Sequence, residues 1–393
     1  MISVQTALEI VSSIKKNNFE QKLPLLQCLN LLSAEEVIAP IDVPSFDNSA
    51  MDGYVCKYED IQENSLALST NEIPAGISNL PLLTKNTACR IFTGAPIPEN
   101  ADTVIPQEDV FILDGQISFL KDIQQFSHIR RKGSQTKKGA IVLTKGTILT
   151  AEYIGFLATL GIVELLVYRK PSVGIIITGK ELVPLGNNIG SFQIFESNSV
   201  FLISALKSLD ITPNFVVKVD DDKEQLYSIV NERITTVDLL LFTGGISVGD
   251  YDFVRPVLDT LGVEEHIYKI KQKPGKPLYI GSYKNTVVFA MPGNPSAVVM
   301  CFHIYVKFFI SLCMGKFPII KKNYGILINE YTKKSGLTHF VKVKVHNQKI
   351  EILSNQLSYQ MDSYSAANAF AVLPEHQEHF QIGEKVEVIY FSV

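Results

Sequence analysis

The sequence has no CxxC pair, no His/Cys spacing suited to zinc, no Walker phosphate loop and no serine nucleophile elbow. Thiol redox pairs, zinc chemistry, P-loop nucleotide hydrolysis and serine acyl transfer therefore have no motif to stand on. The five cysteines, Cys28, Cys56, Cys89, Cys301 and Cys313, are scattered and odd in number. That argues for buried, reduced thiols in a cytoplasmic protein rather than a disulfide framework. His376 and His379 lie three apart in "PEHQEHF", a pattern that reads as a solvated loop. Charge of one sign is also missing: 36 basic residues face 40 acidic ones, for a net charge of −4. General affinity for nucleic acid is not expected, and any anion site must be a local cluster. The first residues, "MISVQTALEIVSSIKKNNFE", form an amphipathic helix pattern rather than a signal peptide. The most apolar run, "VVMCFHIYVKFFISLCM", is broken by His303 and Lys307 and reads as a buried helix, not a membrane span.

What is present is ordinary globular composition, 46% apolar and 19% charged, over 393 residues, a length that predicts two to four domains. Four zones separate. Residues 1–45 read as helical and end at Pro40 and Pro44; residues 139–169 read as strand, helix opened by Thr150, and strand. These two stretches are expected to pack together as a small mixed N-terminal domain, which makes residues 46–138, rich in short β-type runs, an inserted β-rich domain. Residues 170–317 alternate apolar strands with helices, the pattern of a parallel-sheet α/β domain with helices on both faces. Residues 318–393 alternate as a small C-terminal all-β domain. The fold class is multidomain α/β.

In such a sheet, ligands sit beyond the carboxyl ends of the strands. The first strand leads to "TGKELVPLG" with Glu181, the second to "VDDDKE" with Asp220, Asp221 and Asp222, the third to "TGGISVGDYD" and the last to "MPGNP" with Pro292 and Asn294. Gly244, Gly245 and Gly249 let backbone N–H groups approach an oxyanion, and Ser247 adds a hydroxyl. Carboxylates beside an anion loop make sense if a hard cation such as Mg²⁺ lies between them and a phosphate. Asp250 alone is as well explained by helix capping. Asp252 together with Asp221 predicts a site at one edge of the sheet. "KIKQKPGKP" places Lys273 and Lys276 around a Pro-Gly turn that can aim both at one small anion. Outside this zone, "FDNSAMDGY" reads alone as a turn, although it carries Asp47 and Asp52. "RIFTGAPIP" carries Thr93, and "IRRKG" carries Arg130 and Arg131.

"DNSAMDGY", "RIFTGAPIP", "IRRKG", "ITGKEL", "TGGISVGDYD", "KPGKP" and "MPGNP" occur in the order and spacing of the molybdopterin molybdenumtransferases. The sequence resembles this family, the bacterial MoeA proteins and the E domain of gephyrin, from about residue 40 to 300. The resemblance implies Mg²⁺-dependent insertion of molybdate into the dithiolene of adenylylated molybdopterin, with release of AMP. It implies an elongated homodimer in which the α/β domain of one subunit faces the small N-terminal domains of the other, with the molybdopterin adenylyltransferase as a candidate partner. Asp52, Thr93, Arg130, Glu181 and Asp252 match catalytic positions, and Asp221, Asp252 and Glu181 match metal positions. Lys273 and Lys276 match the molybdate lysines. The family arginine of the last domain corresponds to Lys342, and the Gly-Ser pair that follows corresponds to "LSY" around Ser358. The chain departs from the family at Gln135, where an acidic residue is usual, and in "PGNPSA". Two other readings are a gephyrin-like non-catalytic scaffold and the adenylyltransferase step, whose family shares the "GGxSxG" loop. The intact acidic and lysine set argues against the first, and the extra β domains against the second.

Overall fold

The computed structural model describes residues 1–14, 19–61, 65–246, 249, 252–315 and 323–391. They form two compact units, Met1–Gln21 with Tyr168–Val393, and Lys22–Val167.

The core of the first unit is a six-stranded sheet in the order Phe215–Val219, Val173–Thr178, Leu239–Thr243, Thr286–Met291, Tyr279–Tyr283, Glu264–Tyr268. The first four strands run parallel, and the last two are antiparallel additions at one edge. Apolar runs do not announce that edge, because Glu264 and Glu265 face solvent there. Every residue of Val173–Thr178, Leu239–Thr243 and Thr286–Met291 is buried, as a sheet covered on both faces requires. Alternate residues serve opposite faces. Ile175, Ile177, Leu241 and Phe289 pack with the Val4–Ser13 and Asn198–Lys207 helices and the helical run 295–313. Ile176, Leu240, Phe242 and Val288 pack with Lys223–Arg233 and Val254–Thr260. Each such side chain contributes roughly 1.5–3 kcal/mol of burial.

Residues 1–45 therefore do not stay in one piece. The Val4–Ser13 helix, capped by Ser3 accepting from the Thr6 N–H, buries Ala7 and Val11 in the α/β core. Only the later part of that stretch packs with 139–167: Leu25, Cys28, Leu31 and Ala39 meet Leu143, Leu149, Leu157, Leu165 and Val167. In the same unit, Thr103–Pro106, Gly53–Cys56, Thr87–Ile91, Ser65–Ile73, Gln116–Phe119 and Val110–Leu113 make the β-rich sheet. Gly53 is required there, since a Cβ would lie 2.0 Å from the Ile105 carbonyl oxygen.

The C-terminal strands close on themselves. Thr338–His346 pairs with both Lys349–Ile352 and Ala369–Leu373, and accepts Gln272–Lys273 of the α/β domain as a parallel neighbour. All five cysteines are buried, and none forms a disulfide.

The run Pro295–Cys313 is long and apolar enough to cross a membrane, but most of it is buried in the core. Its middle, Phe302–Val306, is a π-turn that carries His303 among the rings of Phe201, Phe302, Phe370 and Phe391. Burial, then the neighbouring Lys307 charge, pushes His303 down to about 4. The neutral form is thus the one the fold accepts. Its stabilising effect is complete above the ordinary histidine range and is lost as pH falls from about 6.5 towards 4. Between pH 7 and 4.5 this amounts to about 2 kcal/mol. Urea unfolding of His303→Phe at the two pH values should show a smaller acid loss by about that amount; an unchanged loss would remove His303 as its source.

Candidate active site

Val173–Thr178 has the second parallel strand on one side and the third on the other, so the order of connection reverses there. A crevice opens at such a switch point. A cavity of about 910 Å³ occupies it, within the range of small-molecule sites.

The loops leaving the strands build its walls. Glu181, Asp221 and Asp252 line the cavity, as do Gly244 and Gly245. A Cβ on Gly244, whose φ is +88°, would lie 2.6 Å from the Thr178 carbonyl oxygen, so bare backbone must pass here. Of the three consecutive aspartates, Asp220 pairs with Lys218 at 3.1 Å and Asp222 caps the Lys223–Arg233 helix through the Gln225 N–H at 2.8 Å. Asp221 alone of the three lines the cavity, its Oδ2 3.4 Å from the Lys180 N–H. Gly249 does not line the cavity; its N–H donates to Asp252 Oδ2 at 2.7 Å. Ser247 and Asp250 lie outside the described residues.

The lysine loop forms the opposite character. Lys273 and Lys276 line the cavity, on a loop with a cis Lys273–Pro274 bond. Gln272, fully buried, supports it: Nε2 donates to the Gly275 carbonyl at 2.7 Å and Oε1 accepts from the Tyr305 hydroxyl at 2.5 Å. Sequence reading missed Gln272, although Ile270 and Gln272 alternating with lysines is a strand signal. Lys273 sits in register with His339, which burial, then Lys333 and Lys273, push down to about 4. The field here is positive.

Pro292, Asn294 and Ser358 also line the cavity. Asn294 Nδ2 donates to Ser358 Oγ at 3.1 Å. Asn198, a second residue that sequence reading missed, holds the same loop by donating from Nδ2 to the Gly293 carbonyl at 2.8 Å.

Lys342 requires a correction. It is 1% exposed and not part of the cavity; its ammonium donates to the carbonyls of Asn355 at 2.5 Å and Gln360 at 2.8 Å. Burial lowers its pKa. Its charge is used inside the C-terminal domain, so it is not an oxyanion ligand.

Asp52, Thr93 and Arg130 belong to the other compact unit, and all three are exposed. Asp52 Oδ1 accepts from the Thr93 N–H at 2.8 Å and from its hydroxyl at 2.9 Å. Those bonds, the backbone one foremost, hold the Asp52 carboxyl below the usual range. Arg130 pairs in register with Asn48, and the adjacent Arg131 bridges to Asp47 at 2.6 Å. Gln135 is exposed in the same unit.

Among the described residues no three His, Cys, Asp or Glu side chains form a ready-made metal cluster. The all-oxygen set of Asp221, Asp252 and Glu181 nevertheless fits a cation such as Mg²⁺, which takes one or two carboxylates and completes its shell with water and substrate phosphate.

The chain matches the family descriptions "MoeA N-terminal region (domain I and II)" over residues 2–161, "Probable molybdopterin binding domain" over 174–311 and "MoeA C-terminal region (domain IV)" over 324–391. The chain belongs to the MoeA family of molybdopterin molybdenumtransferases. It is 31% identical to a molybdopterin molybdenumtransferase of Bacillus subtilis (strain 168), over 99% of this chain and 94% of the relative. It is 32% identical to a protein of the same description from Haemophilus influenzae, over 94% and 93% of the two chains. The crystal structure of a molybdopterin biosynthesis MoeA protein from Pyrococcus horikosii is similar at a TM-score of 0.84, with 30% identity and full coverage of both chains. As a member of this family the chain is a transferase of molybdenum cofactor biosynthesis, with a mostly parallel central sheet and a C-terminal β-barrel.

Proposed function

We propose that the chain inserts molybdate into the dithiolene of adenylylated molybdopterin and releases AMP. The observation that carries this reading is the single cavity that gathers an acidic edge, bare glycine backbone and a constrained lysine loop. The Gly245 N–H binds a phosphate oxygen, which the missing Cβ of Gly244 lets approach closely, while the Gly244 N–H itself is held by the Met291 carbonyl at 3.1 Å. Asp221, Asp252 and Glu181 would hold Mg²⁺, which when bound neutralises phosphate charge and polarises the bond to be cleaved. Lys273 and Lys276 bind molybdate, a compact dianion, and the Gln272 side chain keeps their turn in place. Asn294, from the last loop of the sheet, and Ser358, from the C-terminal domain, orient the substrate. Asp52, Thr93 and Arg130 serve the reaction in a homodimer, where they reach the cavity of the partner subunit. The boundaries 46–138, 170–317 and 318–393 are proposed for the inserted, α/β and C-terminal domains, and the cytoplasm for the location. Purified protein given adenylylated molybdopterin, Mg²⁺ and molybdate should release AMP and form the molybdenum cofactor; absence of both products would overturn the reading.

Lys273→Ala should weaken the apparent affinity for molybdate by roughly 1.5–3 kcal/mol, or about 10- to 100-fold, the range of a charge-assisted bond. AMP binding should be spared, since phosphate contacts come from other loops. Molybdate titration of product formation, beside calorimetric AMP binding, checks both. Loss of AMP binding with molybdate dependence intact would move the lysines to the phosphates.

A further inference from the structure

The polar chemistry above leaves two aromatic residues of the cavity without a task. Phe195 and Tyr359 both line it, 45% and 65% exposed. Large rings kept wet beside a pocket are apolar area waiting for a partner. Their backbones are nevertheless fixed. On either side of Phe195, the Ile194 N–H donates to the Glu181 carbonyl at 3.0 Å and the Glu196 N–H to the Val183 carbonyl at 2.8 Å. The buried Glu196 carboxylate then accepts from the Ser199 N–H at 2.9 Å, which sets the turn after Phe195. Ahead of Tyr359, the Ser358 carbonyl accepts from the Ser296 N–H at 3.0 Å. Both anchors lead to one loop: Asn198 bonds the Gly293 carbonyl from the Phe195 side, and Asn294 bonds Ser358 from the Tyr359 side.

The geometry points to Phe195 and Tyr359 as the two sides of a slot that receives a planar nitrogen heterocycle of the substrate. This rests on the reading of the substrate as an adenylylated pterin, which carries two such rings, pterin and adenine. Neither ring brings a full charge. The carboxylates and lysines are assigned to metal and oxyanion, whereas aromatic side chains stack on the π face of such a ring.

Calorimetry on the full-length protein, with AMP, molybdopterin and inorganic phosphate as separate probes, tests the slot. Phe195→Ala and Tyr359→Ala should each weaken a ring-bearing probe about 10-fold, the scale of one lost stack. Phosphate should bind unchanged, and Phe195→Tyr should restore wild-type affinity. Loss confined to AMP identifies the ring as adenine; loss confined to molybdopterin identifies it as pterin. Either supports the slot. Unchanged binding of both ring probes overturns it, as does full rescue by Phe195→Leu, which would reduce Phe195 to a merely apolar wall. Wild-type protein that binds neither ring probe and releases no AMP would instead overturn the proposed reaction, and the slot with it. Normal wild-type turnover with unaffected variants removes the slot alone.

Discussion

Asp252→Asn should cut AMP release on the order of 100-fold or more while leaving the unfolding midpoint where it is. The substitution isolates charge from shape. Asp252 lies in a tight turn in which its own N–H donates to the Gly249 carbonyl at 3.0 Å and Gly249 returns a bond to Oδ2 at 2.7 Å. An asparagine offers a carbonyl oxygen to the same N–H, so the turn survives. What goes is one negative charge facing the cavity, on the residue proposed to share Mg²⁺ with Asp221. Wild-type turnover with unchanged Mg²⁺ dependence would sink the assignment. The same variant tests the homodimer. Asp52→Ala subunits, themselves impaired, should recover activity when paired with Asp252→Asn subunits, because one of the two cavities then has both carboxylates. No recovery in verified mixed dimers would separate Asp52 from this site.

The residues that could be read from sequence were those whose type is dictated locally. Strand ends in an α/β alternation predict where ligands go, and the loops after Val173–Thr178 and Leu239–Thr243 do line the cavity. Residues whose role depends on a distant partner could not be read. Gln272 matters through Tyr305, and Asn198 through Gly293, contacts that no spacing along the chain encodes. Lys342 misled for the same reason. Its match to the family arginine carried no sign that the Asn355 and Gln360 carbonyls close around it. The N-terminal helix was legible as a helix but not as a part of the α/β core, because an apolar stripe states that a face will be covered and not by what. The stretch "FDNSAMDGY" combined both cases. Its turn character was plain, while the tie between Asp52 and Thr93 spans 41 positions.

The second large effect lies at the opposite ends of the same strands. Asp238→Ala should lower unfolding free energy by roughly 1.5–3 kcal/mol, the cost of removing a charged acceptor from a half-buried ion pair. Asp238 immediately precedes the Leu239–Thr243 strand, with 13% of its side chain exposed. Its two oxygens accept from Arg169 at 2.7 and 2.9 Å, and Oδ2 also accepts from the Ser172 N–H at 2.8 Å and the Ser172 hydroxyl at 2.7 Å. Burial acts to raise its pKa, but the Arg169 and Ser172 bonds outweigh it and hold the carboxyl below the ordinary value. The sign follows: this stabilisation is present above the usual carboxylate range and is lost as pH falls through the depressed value. The network clamps the starts of two neighbouring central strands, since the Leu239 N–H also donates to the Ser172 carbonyl at 3.0 Å. It stands at the amino ends, whereas the ligand loops leave the carboxyl ends. Folded Asp238→Ala enzyme should therefore keep its turnover number at a temperature well below its lowered midpoint. Denaturant unfolding and AMP-release kinetics on the same preparation check the two halves together. A midpoint unchanged from wild type would deny the clamp, and a collapse of turnover in protein verified as folded would deny the separation of scaffold from site. Because Arg169→Ala strands the same pair from the other side, the double variant should cost less than the sum of the two single losses.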